Sequence, residues 1–353
     1  MRNRLLWTAA LFGLLVPCMA SASMDALALQ QRLIEVFQEN RDAIVRVKAA
    51  FSEVDTEEET TQVMLRFGTG FFVSKDGIVL VNADRVAGAK RVWVDFKGRS
   101  YATETIGHDR VTNVAALKVI DLPDDFSIIT LDTSVPKPEL GAITFAITSP
   151  LDFEPSPVMG IVSGNDKKLG NKVFRTEYIR TTITANAGQG GCPILDINGR
   201  FIGMTVSLIP GMEGSFCLPV DALARVRDDL VFSGKVIYSW IGFEVGEKIN
   251  TDDSHAVYLS KVIENSPAAD AGLLQGDHLV KIAGRPIETV SDVPRATFFI
   301  RANQYASIEV SRDGELHEYS VKALPRSEQL LEINASEVSQ VESDQTVDYA
   351  VHQ

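Results

Sequence analysis

The sequence has little cysteine, little histidine and less positive than negative charge. Its 353 residues include 3 cysteines and 5 histidines, with 34 lysines and arginines against 47 aspartates and glutamates. A formal net charge of −13 argues against nucleic acid as a partner, because both molecules would be negative. The sequence also lacks a cluster with metal-ligand spacing and a glycine-rich phosphate loop, so we expect no cofactor and no metal.

Long apolar runs are scarce as well. The run from Leu5 to Val16 follows Arg2 and Arg4 and is too short to span a bilayer. Together with the small residues at 20–22 it predicts a signal peptide over residues 1–22 and a mature chain that begins at Ser23. We therefore expect export to the bacterial periplasm or the extracellular space, with no integral membrane segment after cleavage.

Cleavage would remove Cys18 and leave Cys192 and Cys217. An exported protein meets oxidising conditions, in which two cysteines can pair. Spacing alone does not establish the geometry that a disulfide needs, and buried free thiols often act as small apolar side chains. The disulfide and the two free thiols therefore both stay open at this point.

Hydrophobic periodicity predicts a short helical start followed by strands. Leu29, Leu33, Val36 and Phe37 share one face of a helix over residues 25–42. Residues 45–51 then alternate apolar and basic side chains, which is typical of a half-buried strand. The acidic residues 52–62 have no periodicity and predict an exposed loop between strands.

The rest of the chain divides into three regions. From residue 63 to about 220, short apolar runs alternate with turn signals such as Asn198-Gly199, which is typical of an all-β sandwich or a pair of barrels. Residues 221–236 predict a helix with Asp221 as N-cap, leading into a linker. From Ser327 onward there are six acidic residues and no lysine or arginine, which predicts a disordered tail.

Four segments resemble those of the HtrA/Deg family, in which a trypsin-like serine protease domain precedes a PDZ domain. Residues 81–86 (Val-Asn-Ala-Asp-Arg-Val) resemble the family's T-N-A-H-V-V, and residues 109–117 resemble its D-x-x-x-D-I-A-L-L. Residues 188–193 (Gly-Gln-Gly-Gly-Cys-Pro) resemble its G-N-S-G-G-P. Residues 266–273 and Gly276-Asp277 resemble the PDZ run S-P-A-x-x-A-G-L…G-D.

The resemblance implies an all-β dominated fold: a chymotrypsin-like double six-stranded β-barrel followed by a PDZ domain, itself a small β-barrel or sandwich with helices. The expected organisation is a signal peptide (1–22), an N-terminal helix (23–42), a first barrel lobe (43–135), a second barrel lobe (136–225), a linker (226–236), a PDZ domain (237–325) and an acidic tail (326–353).

The same resemblance places Asp84 where the family has its catalytic histidine, Asn113 where it has the aspartate, and Gly190 where it has the nucleophilic serine. A serine protease needs a hydroxyl, an imidazole that takes its proton and a carboxylate that orients the imidazole. Loss of one triad member already costs roughly 10⁴ to 10⁶ in rate. The resemblance therefore implies a pseudoprotease, with Gly188, Gln189 and Gly190 as the remnant of the oxyanion loop.

Two other chemistries use residues near these positions. Cys192 lies two residues beyond the nucleophile position and could act as a thiol nucleophile, with His108, placed on the loop before Asp109, as its base. Asp84 and Asp109 could form an aspartic-type dyad, although carboxylates on neighbouring segments are usually only solvated charges. By the same resemblance, residues 209–218 form a wall of the specificity pocket. The cleft beside them either binds extended peptide without cutting it or has collapsed.

A PDZ domain binds an extended peptide as a strand added to the edge of its sheet. By resemblance, the loop that captures the terminal carboxylate is Trp240-Ile241-Gly242-Phe243, and Phe243 and Val245 flank the added strand. Asp292 would cap the helix on the other side of the groove. The apolar residues expected on this helix, or in the core beneath it, are Val293, Ala296, Phe299 and Ile300.

The leading hypothesis is an exported, proteolytically inactive HtrA-like protein that binds peptides or unfolded protein C-termini as a chaperone, adaptor or regulator in protein quality control. The resemblance also implies a homo-oligomer, with a trimer among its forms, or co-assembly with an active relative. The alternative is a member of the serine-endopeptidase family with residual or altered, Cys192-dependent hydrolysis. A third reading is a structural or assembly protein whose clefts are vestigial.

Overall fold

The structure is a computed structural model that describes residues 16–55, 60–151, 153–170, 172–184, 188–208, 213–249 and 255–326. Most of the predicted signal peptide (1–15), part of the predicted pocket segment (209–212) and the predicted acidic tail from 327 onward lie outside these residues.

Helix α1 (Val16–Asn40) is the first described element, and a short 3-10 helix (Arg41–Ala43) follows it. Its apolar face is buried at Val36, which has no exposed surface. The guanidinium of Arg32 donates to the carbonyl oxygens of Asn198 at 2.8 Å and Ile197 at 3.3 Å. These bonds attach the helix to the second barrel. The predicted helix over 25–42 begins later than α1 and ends two residues beyond it.

Six antiparallel strands form the first closed barrel, in the order β1-β2-β3-β6-β5-β4. Buried and exposed side chains alternate in Arg91–Phe96, where Val92, Val94 and Phe96 point into the core, whereas Ile78–Asn82 is buried throughout. A one-turn helix, α2 (Ala83–Val86), follows the third strand. The strands are β1 (Ile44–Asp55), β2 (Thr60–Phe72), β3 (Ile78–Asn82), β4 (Arg91–Phe96), β5 (Arg99–Asp109) and β6 (Val114–Val119).

A second closed barrel has six antiparallel strands in the order β10-β11-β12-β9-β8-β7. Its core includes Ile147, Ile179, Ile194 and Leu218, all of them fully buried. The strands are β7 (Ile143–Thr148), β8 (Ser156–Leu169), β9 (Lys172–Thr181), β10 (Pro193–Asp196), β11 (Phe201–Leu208) and β12 (Ser215–Pro219).

Helix α3 (Val220–Ser233) ends at Gly234, whose φ of 73° lets the chain turn into the C-terminal domain. That domain has a sheet in the order β14-β15-β16-β18-β19, with β17 paired to β16 and a separate β13-β20 pair. Helices α4 (Pro267–Asp270) and α5 (Asp292–Phe298) complete it. The strands are β13 (Ser239–Trp240), β14 (Phe243–Ile249), β15 (His255–Val262), β16 (His278–Ile282), β17 (Arg285–Pro286), β18 (Tyr305–Arg312), β19 (Glu315–Lys322) and β20 (Leu324–Pro325). The predicted all-β dominated fold is confirmed.

The C-terminal domain and the barrels share a buried junction. Tyr238 donates its hydroxyl proton to Oδ2 of Asp109 at 2.7 Å, and its ring lies 6.1 Å from that of Phe298 at the end of α5. The guanidinium of Arg225 on α3 lies 4.4 Å from the Phe298 ring centroid and 5.5 Å from that of Tyr238. Because Phe298 packs within the same apolar cluster as barrel residues, α5 is held by the barrels as well as by its own sheet.

Ion pairs on α5 extend this junction toward the second barrel. Lys167 on β8 pairs with Asp292, and Arg295 lies 3.4 Å from Glu177 on β9. The Glu177 side chain is only 5% exposed and also pairs with Lys137. The helix expected to border the peptide groove is thus bound to the peptidase domain at two points, one turn apart.

Three local predictions were wrong. Residues 52–55 and 60–62 are not loop but extend β1 and β2, which pair from Ile44↔Phe71 as far as Asp55↔Thr60. Asp221 is not the N-cap of α3, because Pro219 holds that position and Asp221 lies within the first turn. His108 does not lie on a loop: it pairs with Ala115 as part of β5.

Candidate functional site

Asp84 and Asn113, expected at the first two triad positions, lie together in the first barrel. Asp84 is in the one-turn helix α2, and its backbone N–H donates to Oδ1 of Asn113 at 2.9 Å. The N–H of Ala83 donates to the backbone carbonyl of Asn113 at 3.1 Å. The carboxylate of Asp84 is 51% exposed and lies 3.5 Å from Nε of Arg85. Asp84 therefore presents an exposed carboxyl group and no imidazole.

Both ends of the Asn113 side-chain amide are used inside the protein. While Oδ1 accepts from Asp84, Nδ2 donates to the carbonyl oxygen of Val206 on β11, at 2.7 Å. This second bond joins the two barrels. Asn113 has a φ of 58°, a left-handed conformation that asparagine tolerates better than most residues. Since an ionised carboxylate has no N–H, it could not make the bond to Val206.

Gly188 to Gly191 form the turn expected to be the oxyanion remnant. Thr69 on β2 anchors it: its N–H donates to the carbonyl of Gly190 at 3.1 Å, and its hydroxyl donates to the carbonyl of Gly188 at 2.9 Å. Gly188 and Gly191 have φ values of 82° and 91°, which favour glycine. The turn is therefore ordered by the first barrel although position 190 carries no nucleophile.

The Cβ position of Gly190 is approached on one side, by the side chain of Asn82. A Cβ built on Gly190 would lie 3.0 Å from the terminal amide of Asn82, which is only 3% exposed. The Asn82 amide is oriented so that its nitrogen donates to the carbonyl of Thr205 at 2.9 Å and its oxygen accepts from the N–H of Gly191 at 3.3 Å. Gly190 thus lies against Asn82. Asn82 precedes Asp84 by two residues, and Asp84 is bonded to Asn113, so the three expected triad positions lie in one region.

Cys192 is a buried thiol and not an exposed nucleophile. It has no exposed surface, and Sγ lies 3.3 Å from the hydroxyl of Thr205. Burial raises the pKa of Cys192 to about 12, although the bond with Thr205 works in the opposite direction. Cys217, also fully buried, has its pKa raised to about 11 by burial. Both are free thiols, so the disulfide left open by the sequence does not form.

His108 and Asp109 do not lie where the thiol and aspartic chemistries would need them. His108 is exposed on β5, while Cys192 packs in the core of the second barrel. Asp109 is buried and directs Oδ2 to the N–H and hydroxyl of Thr112, at 3.0 and 2.5 Å, and to Tyr238. Asp109 therefore serves the domain junction, and the structure does not pair it with Asp84 as a dyad.

The loop expected to capture a carboxylate, residues 240–243, is fixed from behind. The N–H of Ala268 donates to the carbonyl of Ile241 at 2.9 Å. The carbonyl of Gly242 accepts from the N–H of Ile263 at 2.9 Å and from the hydroxyl of Ser266 at 3.1 Å. Gly242 has a φ of 95°, and a Cβ there would lie 2.2 Å from Cβ of Ser266. Only glycine fits this close approach.

Strand β14, which follows the loop, lies at one edge of its sheet. An edge strand offers backbone groups to an added strand, which is what PDZ-type recognition requires. Phe243 and Val245 are half-buried and pack on the domain core. Ile241, Val293, Ala296 and Ile300 are buried within that core.

Two of the residues predicted for the groove are placed differently. Phe299 packs against the barrel cluster, and the guanidinium of Arg285 lies 4.0 Å from its ring centroid. Asp292 is not the N-cap of α5, because Ser291 holds that position. Its Oδ2 instead accepts from the N–H and the hydroxyl of Thr289, at 2.8 and 3.0 Å, while Oδ1 meets Lys167.

The functional contacts that sequence reasoning missed are mainly long-range ones. Thr69 holds the turn at Gly188–Gly191, Val206 accepts from the Asn113 amide, and Tyr238 joins the two domains. Nothing in the local sequence of these residues marks them. Among the residues that the structure describes, no group of three or more His, Cys, Asp and Glu side chains could hold a metal ion. Nor does any described helix combine the length and apolarity needed to cross a membrane.

Comparisons with known proteins agree with this architecture. Residues 68–204 match the trypsin-like peptidase domain family, and residues 240–323 match the PDZ domain family. A probable periplasmic serine endoprotease, DegP-like, of Pseudomonas putida strain GB-1 is 32% identical over 272 residues, covering 73% of this chain and 56% of that protein. A relative with the same description from Hahella chejuensis is 31% identical, covering 72% of this chain and 56% of its own.

Solved structures show the same fold. The HtrA-type protease AlgW with tripeptide has a TM-score of 0.67 at 24% identity, covering 84% of this chain and 97% of its own. The serine endoprotease from Yersinia pestis has a TM-score of 0.59 at 21% identity, covering 84% and 98%. The chain belongs to the HtrA/DegP family, whose members join a trypsin-like peptidase domain to a PDZ domain. It spans about half the length of the curated relatives that it matches.

Proposed function

We propose that this protein is an exported, proteolytically inactive HtrA-like protein that binds the C-termini of peptides or unfolded proteins at its PDZ domain. It would act as a chaperone, adaptor or regulator in protein quality control, in the periplasm that the names of its relatives indicate. The observation that carries the proposal is a contrast between two sites of one chain. The PDZ edge strand is preceded by an anchored glycine loop, whereas the peptidase cleft has no nucleophile at Gly190.

Peptide binding is supported by the backbone of the PDZ domain. The carbonyl groups of Ile241 and Gly242 are bonded to the segment behind the loop, which fixes the loop before any ligand arrives. A preformed loop loses little conformational entropy on binding. Because β14 lies at the sheet edge, a peptide can add to it through main-chain hydrogen bonds, with its terminal carboxylate at the loop.

Inactivity is supported by the chemistry of the cleft. Gly190 has no hydroxyl, Asp84 has no imidazole, and the amide of Asn113 is occupied at both ends. The Asn113–Val206 bond requires an N–H, so the barrels are joined by the residue that replaces the expected carboxylate. Cys192 offers no substitute nucleophile, because its thiol is fully buried and its pKa is raised to about 12.

Assembly is part of the same proposal. An inactive subunit that binds peptide can present it to a neighbour or change the neighbour's conformational equilibrium. A homo-oligomer, such as a trimer, or co-assembly with an active relative would serve either role. Sedimentation of the mature chain alone and with an active relative distinguishes these forms.

Fluorescence anisotropy tests the proposal with pairs of labelled ten-residue peptides that end in an apolar residue. One peptide of each pair has a free C-terminal carboxylate and the other a C-terminal amide. We expect the carboxylate form to bind at least about tenfold more tightly, since charge-assisted hydrogen bonds at the loop are lost in the amide. Equal affinities, or no binding by a varied peptide set, would overturn the proposal.

A further inference from the structure

The side chains on the outward face of β14 would contact a ligand bound in the groove. Phe243 and Val245 pack on the domain core, so the alternation of a strand directs Glu244 and Gly246 to the opposite face. The Glu244 side chain is 60% exposed. A peptide strand added to β14 would present every second side chain on this same face, directly beside Glu244 and Gly246.

Tyr258 lies over Gly246 on that face. The two residues are paired between β14 and β15, and a Cβ built on Gly246 would lie 2.7 Å from both Cζ and the hydroxyl oxygen of Tyr258. Val257 and Leu259 on either side of Tyr258 are buried, which confirms that the tyrosine points away from the core. Because Gly246 has no side chain, the phenol ring reaches over the edge strand, where an added peptide would meet it.

On the outward face of β14, Glu244 is the first charged residue after the loop. Its present partner, Lys261, lies at 3.5 Å, and the side chains are 60% and 62% exposed. Exposed pairs of this kind are weak, so the Glu244 carboxylate is available to a second cation. Lys261 is on β15, one strand further from the ligand, and neighbouring strands are about 4.8 Å apart. The electrostatic preference at this position is therefore set by Glu244.

The pairing of an added peptide strand with β14 determines which peptide residue lies beside Glu244. With the terminal carboxylate held at residues 240–243 and the peptide antiparallel to β14, the last residue faces Phe243 and the groove. The penultimate residue then pairs with Glu244 and points outward. Resting on the proposed function, we propose that the groove selects C-termini with lysine or arginine at the penultimate position, where the cation meets the Glu244 carboxylate and the Tyr258 ring.

The test uses the full mature chain and three C-terminal decapeptides that differ only in a penultimate lysine, alanine or glutamate. Anisotropy titrations should give the order lysine, alanine, glutamate, with about 3- to 10-fold between the first and last, since partly exposed ionic and cation–π contacts are each modest. The difference should shrink as salt is raised. Binding of all three with equal affinity would overturn this inference and leave the proposed function standing. Binding of none would overturn both.

Charge reversal identifies the residue responsible. In Glu244→Lys the preference should reverse, so that the glutamate peptide binds most tightly. Glu315→Lys, an exposed glutamate on β19 at the opposite edge of the same sheet, makes the same change of charge and should keep the original order. Tyr258→Leu should reduce the preference for lysine without reversing it. An unchanged order in Glu244→Lys would overturn the inference.

Discussion

The peptidase cleft and the PDZ groove are built from the same kinds of strand and glycine turn, yet they differ in what their polar groups bond to. In the cleft, Asn113 uses its amide within the protein, and the turn at Gly190 is bonded to Thr69. In the groove, the carbonyl groups of Ile241 and Gly242 are bonded to the segment behind the loop, and β14 forms one edge of the sheet. A site that uses its polar groups internally supports structure, whereas an edge strand can accept a ligand. The comparison shows two sites in one chain whose polar groups are used differently, one for contacts within the protein and one at an open sheet edge.

We expect the strongest effect from a substitution in the loop of the PDZ groove. Gly242→Ala places a Cβ 2.2 Å from Ser266 at a φ of 95°, so both overpacking and backbone strain oppose folding. We expect the free energy of unfolding to fall by about 2–5 kcal/mol and carboxylate-dependent peptide binding to be lost. Denaturant unfolding and anisotropy measure the two effects.

Gly276→Ala is the matched control. Gly276 has a φ of 96° but no atom within 4 Å of the Cβ position. We expect a loss of only about 1–2 kcal/mol, from strain alone, and normal peptide binding. Equal losses of stability and binding in the two variants would contradict the role given to the loop.

The next prediction concerns Asn113 in the peptidase cleft. Asn113→Asp replaces the N–H that bonds to Val206 with a carboxylate oxygen facing a carbonyl oxygen, at a contact now 2.7 Å long. We expect a loss of about 1–3 kcal/mol in the free energy of unfolding at neutral pH. The loss should be smaller at low pH, because a protonated carboxyl can donate again.

Asn303→Asp controls for the substitution itself. Asn303 also has a left-handed backbone, with a φ of 67°, and it is exposed. Chemical denaturation of both variants from pH 4 to 8 should show a marked pH-dependent loss at position 113 and little change at position 303. A neutral or stabilising Asn113→Asp would mean that the cleft still fits a carboxylate.

The thiols give a third, smaller effect. An unfolded thiol ionises near pH 9.0, while burial raises the pKa of Cys192 to about 12. The stabilisation from keeping the thiol neutral is complete below pH 9 and is lost as the pH rises toward 12. At pH 10 the native chain should therefore have lost roughly 1 kcal/mol of stability relative to Cys192→Ala, each compared with its own stability at pH 8.

Denaturant unfolding between pH 8 and 10 measures this difference, and other titrating groups cancel because they are common to both proteins. A thiol reagent at pH 8 should also leave native Cys192 unmodified and react after unfolding. Rapid reaction of the native thiol, together with parallel pH profiles, would show an accessible cysteine and revive the alternative of Cys192-dependent hydrolysis.

The smallest effect concerns the link between the two regions. Lys167→Met removes the ion pair with Asp292 at the start of α5, where the lysine side chain is 35% exposed. We expect a loss of up to about 1 kcal/mol that diminishes with added salt. Lys168→Met, at the exposed neighbouring position, should have no comparable effect. If both variants behave alike at low salt, this pair does not hold α5 to the barrels.

Much of the fold could be predicted from sequence because short apolar runs separated by turn signals mark the strands and the motifs keep their order. The contacts that decide the site could not. Asn113 and Val206 are 93 residues apart, and Asp109 and Tyr238 are 129 apart, so no local pattern links them. Burial of Cys192 likewise depends on how β10, β11 and β12 pack.

The local errors have a common physical cause in tertiary contacts. Asp292 has a favourable sequence position for a cap, but its carboxylate is used by Thr289 and by Lys167 from another domain. Phe299 has the spacing of a groove residue, but the barrel cluster and Arg285 take its ring. The acidic residues 52–55 lack periodicity, yet pairing between β1 and β2 continues through them. The roles expected for Asp292 and Phe299 at the PDZ groove, and for Asp84, Asn113 and Gly190 as substituted triad positions, stay predictions.

The most direct test of proteolytic inactivity is to incubate the mature chain with an unfolded protein and follow the substrate by intact-mass spectrometry. An active trypsin-like protease serves as positive control and Cys192→Ser as a parallel sample. We expect the substrate to stay full length while its C-terminal peptide binds in the anisotropy assay. Fragments that accumulate with time and with the concentration of this chain would contradict it, and their loss in Cys192→Ser would identify a thiol enzyme.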